Sequence, residues 1–158
     1  EKTIDTPMEP MTGRVLSKHL VIVPILRAGL GMLQPFHDIF PDVSVGYVGL
    51  ERDHTTAVAR SYYCKLPPLA NTRVIVVDPM LATGGSLEYG CKLLAARGAP
   101  QPITIACVLA APEGIAYLEK SGMDLHIVTA SIDERLNENA FIVPGLGDAG
   151  DRQFGPPH

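Results

Sequence analysis

Apolar residues along the chain fall into short uninterrupted runs separated by stretches of helical spacing. Residues 19–26 (HLVIVPIL), 74–77 (VIVV), 103–111 (ITIACVLAA) and 125–130 (LHIVTA) are rich in β-branched residues and bounded by polar ones, the pattern of buried strands. Residues 44–50 (SVGYVGL) alternate as a half-covered strand does. Between the runs, helical stretches are predicted at 32–40 (MLQPFHDIF), at 87–98 closing on Gly98, and after Pro112 up to Gly122. Pro112 sits at a helix's first position, where its missing N–H costs nothing. Pro24 is harder to place. It removes a ladder donor, so pairing there should be interrupted or the strand should lie at an edge.

Strand and helix alternate along most of the chain, which predicts an α/β fold: a mostly parallel twisted sheet flanked by helices, with right-handed crossovers. Three segments fall outside that alternation. Residues 1–14 have no sustained period and read as an irregular lead-in or frayed strand. Residues 52–66 are polar and Thr-containing, a hairpin or flexible arm. Residues 131–155 hold several glycines yet are too apolar for a floppy tail.

Composition narrows the class. At 158 residues the chain is a single domain (1–158) with room for a core, and 46% apolar against 19% charged residues excludes disorder. A net charge of −4 and a pI near 5.7 argue against a broad nucleic-acid footprint, so any phosphate must be held locally. Cys64, Cys91 and Cys107 lack metal-ligand spacing and form an odd set, which fits a reducing cytoplasm, and Cys91 and Cys107 are expected in the core. The longest apolar stretch is too short for a bilayer, so neither a membrane span nor a signal peptide is expected. The chain begins on Glu1, in a segment that looks internal, and an N-terminal portion is expected to be missing.

The candidate chemistry lies at the ends of two strands. After residues 74–77 comes Asp78, then Pro79-Met80-Leu81 and the small-residue loop Ala82-Thr83-Gly84-Gly85-Ser86, which opens a helix. Such a loop leaves the backbone N–H groups and the helix N-terminus open to an anion, with hydroxyls from Thr83 and Ser86 beside them. A carboxylate next to a phosphate cradle suits sugar hydroxyls. The string is neither G-x-x-x-x-G-K-[ST] nor G-x-G-x-x-G, which sets aside Walker and dinucleotide sites. A second small-residue loop, Arg27-Ala28-Gly29-Leu30-Gly31, follows residues 19–26, and a guanidinium suits bidentate phosphate contact. In open α/β sheets ligands bind at the carboxyl ends of the strands, where both loops fall. His54 reads as a solvated loop residue, His126 as a core or edge histidine, and Tyr62 and Tyr63 as packing residues of the arm.

An acidic residue followed by T-G-G-S resembles the phosphoribosyl-diphosphate (PRPP) loop of phosphoribosyltransferases. The longer strings DPMLATGGS, VPILRAGLGM and IVPGLGDAGD resemble the uracil phosphoribosyltransferase family in particular. The likeness runs from about His19 to Gly155. It implies a phosphoribosyltransferase-type fold and the reaction of uracil with PRPP to give UMP and pyrophosphate, a step of pyrimidine salvage. It places Arg27 and Arg52, at the base of a flexible arm, on pyrophosphate, and Asp78 through Ser86 around the ribose 5-phosphate. Residues 131–155 become a hood over the base, with Ile142, Gly147, Asp148 and Ala149 in the uracil pocket. Asp148 also approaches PRPP. Asp78 is followed by proline rather than a second acid, so Mg²⁺ would be held mainly through PRPP, with few protein ligands. Family members carry further residues ahead of this segment that build oligomer contacts. A homo-oligomer is therefore expected, with GTP as a possible effector. The alternative from another class is a regulatory module that binds PRPP or uracil nucleotides without turnover, and a third is a phosphoribosyltransferase for a different base.

Overall fold

The computed structural model describes residues 1–52 and 59–156, the side chains of Arg52 and Ala59 excepted. Its strands are β1 (Lys2–Asp5), β2 (Pro10–Gly13), β3 (His19–Leu26), β4 (Ser44–Val45), β5 (Tyr47–Arg52), β6 (Ala59–Lys65), β7 (Thr72–Val77), β8 (Met80–Leu81), β9 (Ile103–Ala110), β10 (Leu125–Ile132), β11 (Arg135–Leu136) and β12 (Ile142–Val143). The helices are α1 (Leu33–Ile39), α2 (Gly85–Ala96), α3 (Pro112–Lys120) and α4 (Ala149–Phe154), with a 3-10 turn at Ala28–Met32 leading into α1.

The main sheet runs β10-β9-β7-β3-β5-β6, parallel except for β6, with β4 added on β3 and β8 on β9. Side chains alternate across the pleat, so each central strand supplies two cores. Val21, Val23, Val74, Val76, Ile103 and Ile105 meet Leu87, Cys91 and Leu94 of α2 and Leu118 of α3 on one face. Leu20, Ile22 and Val77 meet Leu33 and Phe36 of α1 on the other. Burial on both faces is why these strands read as continuous apolar runs. Cys91 and Cys107 are buried as expected, and His126 is exposed on the β10 edge.

Pro24 lies in the interior of the sheet. It stays in register with Val77 of β7, while on the other side the ladder to β4 ends at Ile22 and the ladder to β5 begins at Ile25. The pairing is interrupted there without making an edge. The break recurs at Gly46, which separates β4 from β5 and whose N–H donates to Ile22 O at 2.9 Å. One alternating run thus becomes two strands. The arm residues form an antiparallel hairpin of β5 and β6, whose connection at 53–58, with His54, lies outside the described residues. Tyr62 and Tyr63 are half exposed, although the Tyr62 ring covers Gly49 closely. The lead-in pairs with itself as the β1–β2 hairpin.

Chain order fixes where the site must be. From β3 the chain moves to β5 on one side and returns to β7 on the other, so β3 and β7 flank the point where strand order reverses. At such a point the connections leave in opposite directions and open a crevice at the carboxyl ends. Arg27 follows β3 there, and Asp78 follows β7.

Candidate active site

Asp78 is the junction of three adjoining cavities. One, of about 460 Å³, is lined by Asp78, Met80 and Ala82 on the sheet side and by Phe141, Ile142 and Asp148 on the hood side. A tight one of about 50 Å³ lies over the cradle against Thr83, Gly84 and Ser86. A third, of about 210 Å³, is bounded by Arg27, Ala28, Leu50, Ser86 and Asp148. A wide space under residues 139–150, a tight space over the cradle and an arginine-walled space therefore meet at one carboxylate. Burial drives the Asp78 carboxyl up from 3.8 to about 7, against a weak opposing hydrogen bond from Met80 N at 3.4 Å and with a further upward push from nearby Asp148.

The cradle is built as its small residues require. Gly84 caps α2 at φ +86°, a left-handed conformation that glycine adopts without strain. The first N–H groups of α2 have no acceptor within the helix and are available to an anion. Behind the loop, a Cβ on Gly114 of α3 would overlap the Ala82 carbonyl. That glycine lets α3 lie directly on the cradle backbone. Glu88, in the first turn of α2, accepts from Lys92 at 2.8 Å and from Tyr117 Oη at 2.7 Å, which ties α2 to α3 and lowers the Glu88 pKa. Gly29 brings the other loop equally close, since a Cβ there would lie 2.5 Å from Val77 O.

The hood follows β10. Asp133 Oδ2 accepts from Gly145 N at 2.9 Å, Glu113 Oε1 of α3 accepts from Leu136 N at 2.9 Å, and Asn137 Oδ1 accepts from Asn139 N and Phe141 N. These bonds shape the β11–β12 hairpin and set Ile142 in the cavity wall. Asp148 caps α4, accepting from Asp151 N at 2.8 Å.

The sequence-derived residues converge to a large extent. Ile142, Gly147, Asp148 and Ala149 all line the 460 Å³ cavity, and Met80 through Gly84 and Ser86 line the cradle cavity together with Asp78. Arg27 reaches the third cavity. Two cradle residues do other work. Pro79 is buried with its carbonyl accepting from Val108 N and Leu109 N, both at 3.0 Å, and Leu81 sends its side chain into the core. Gly85 opens α2, and the Arg52 side chain lies outside what the structure describes. Sequence reasoning assigned no role to Ala28, Asn139, Ala140, Phe141 and Gly150, which complete the 460 Å³ cavity. Ala28 and Gly150 lie within the strings that carry the resemblance but bear no polar side chain to mark them, and Asn139, Ala140 and Phe141 belong to no local motif. Nor did the sequence single out Asp133, whose carboxylate holds Gly145 N.

This fold and site define a class, the phosphoribosyltransferases. A purine phosphoribosyltransferase from Pyrococcus horikoshii shares the fold with a TM-score of 0.58 over 73% of this chain and 71% of its own, at 23% identity. Closer in sequence is the AQ2163 protein from Aquifex aeolicus, 37% identical, with a TM-score of 0.90 over 98% of this chain and 74% of that one. The family model for uracil phosphoribosyltransferase matches residues 1–156. Uracil phosphoribosyltransferases of Malacoplasma penetrans and Clostridioides difficile are 47% and 52% identical over 96% of this chain, spanning 74% and 73% of their own lengths. The chain belongs to the uracil phosphoribosyltransferase family.

Proposed function

We propose that the chain transfers the phosphoribosyl group of PRPP to uracil, giving UMP and pyrophosphate. The observation that carries this is the meeting at Asp78 of a wide cavity, the tight cavity over the cradle and an arginine-walled cavity, an arrangement that suits a base, a ribose phosphate and a leaving pyrophosphate. The bond from the ribose carbon to pyrophosphate breaks, a bond to uracil N1 forms, and the N1 proton is released. Positive charge builds on the ribose carbon, where the Asp78 and Asp148 carboxylates face it. Negative charge builds on pyrophosphate, which Arg27 and Arg52 stabilise.

The cradle Ala82, Thr83, Gly84, Gly85 and Ser86 holds the 5-phosphate, with Pro79, Met80 and Leu81 setting its height above the sheet. Binding energy at this remote phosphate orients the reacting carbon. Ile142, Gly147, Asp148 and Ala149 hold uracil, whose two carbonyls and N3–H suit reading by exposed backbone. Asp78 and Asp148, two hard oxygen donors on one cavity, fit a Mg²⁺ ion that reaches the site largely through PRPP. When bound, the ion neutralises charge on the departing pyrophosphate.

A homo-oligomer working in the cytoplasm, with GTP as a candidate effector, belongs to the same proposal, and sedimentation with and without GTP tests that part. The direct test is UMP formation from uracil and PRPP with Mg²⁺, with Arg27→Ala alongside. Turnover that falls roughly 10²- to 10³-fold in the variant is expected. PRPP binding without any UMP would replace the enzyme with a regulatory module.

A further inference from the structure

Helix α4 does more than close the hood. Arg27 Nη2 donates to Asp151 Oδ1 at 2.7 Å, and Arg27 Nη1 donates to Gly155 O at 3.2 Å just past the helix. The same helix reaches the loop at a second point, where Gln153 Nε2 donates to Ala28 O at 3.2 Å while also bonding Ala149 O at 3.0 Å. A Cβ on Gly31 would overlap the Gln153 amide, so the contact is close. The side chains of Arg27 and Asp151 are 43% and 39% exposed. A pair that open to water contributes little to folding. What it does is fix the guanidinium.

We infer that Asp151 is a positioning residue, holding Arg27 in the orientation in which its remaining N–H groups receive pyrophosphate. The inference rests on the proposed function, in which Arg27 contacts the leaving group. Three features support it. A free arginine loses much rotamer freedom when it binds a phosphate, and one already held on a carboxylate has lost it beforehand. A guanidinium carries five N–H donors, so two spent on α4 leave others for an anion. Finally, the backbone N–H of Asp151 is bonded to Asp148 Oδ1 at 2.8 Å. The first turn of α4 therefore joins a carboxylate of the base cavity to the arginine of the pyrophosphate cavity, and the two subsites are set by one helical turn.

The test is a double-mutant cycle with a structural control. Asp151→Ala, Arg27→Ala, the double variant and Gln153→Ala are compared with wild type for kcat, for the KM of PRPP and of uracil, and for PRPP binding by calorimetry. Thermal unfolding of each variant reports folding separately. Asp151→Ala is expected to raise the PRPP KM and Kd about tenfold, the worth of one charged hydrogen bond, and to leave the uracil KM within about twofold. In the Arg27→Ala background the same change should do nothing further. Gln153→Ala removes the other tie between α4 and the loop, and should move the PRPP constants by no more than about twofold.

Equal effects of Asp151→Ala in both backgrounds, or equal rises in both KM values, would overturn the inference, since Asp151 would then act on the hood and not through Arg27. Tighter PRPP binding in Asp151→Ala would also overturn it, showing that Asp151 competes with pyrophosphate for the arginine. A wild type that neither forms UMP nor binds PRPP sinks the functional reading and this inference together. A functional wild type with an unchanged Asp151→Ala variant sinks this inference alone.

Discussion

The Asp78 carboxyl is raised to about 7 chiefly by burial, and that displacement has a measurable consequence for the fold. Between an ordinary 3.8 and about 7, the native state holds a proton that the unfolded chain has lost. Stability therefore falls as pH rises through this window. The effect vanishes below about 4, and the full penalty stands above 7. Moving an acid from 3.8 to about 7 corresponds to about 4 kcal/mol at most. Asp78 opens onto three cavities and stays partly exposed, so water there reduces the figure to roughly 1–3 kcal/mol.

Asp78→Asn removes the charge and keeps an acceptor for Met80 N. Urea unfolding of the ligand-free protein should find the variant more stable than wild type by that amount at pH 8 and by no more than about 0.6 kcal/mol at pH 4. The same variant should lose about 10²-fold in kcat/KM for PRPP, because the carboxylate that costs the fold stability is the one the proposed reaction assigns to the ribose. An equal stability difference at pH 4 and pH 8 would refute the burial argument. A kcat/KM within about twofold of wild type would refute the role given to Asp78.

Two further outcomes follow from close packing and from the hood. Gly114→Ala places a methyl against the Ala82 carbonyl and must push α3 off the cradle, so the PRPP KM should rise with a loss of about 1–3 kcal/mol in stability, read by enzyme kinetics and thermal melting. Asp133→Ala frees Gly145 N and loosens the turn carrying Ile142, which should raise the uracil KM up to about tenfold while leaving the PRPP KM alone.

What was legible in the sequence was local. The strand over residues 19–26 is found at His19–Leu26, because a strand buried on both faces needs an unbroken apolar run, and its short length and β-branched residues set it apart from a buried helix. The cradle was equally plain, since the strand, carboxylate, small-residue loop and helix that make it are contiguous. Where the sequence left a choice, tertiary pairing made it. Pro24 could mark an edge or a gap, and only the separate registers of β4 and β5 decide for the gap. Helix α4 was hidden by the glycines around it and by its six-residue length, too short to hold itself by propensity. It exists because Asp148 caps it and its residues dock on the Arg27 loop. The Arg27–Asp151 pair spans 124 positions, and the Asp133–Gly145 bond depends on a hairpin that closes only over α3. Periodicity and motif fixed which backbone segments form and which end of the sheet carries chemistry. The partners of each charged side chain, and so the raised Asp78 and the held Arg27, were decided by the folded chain, because burial and distance between remote residues have no trace in local order.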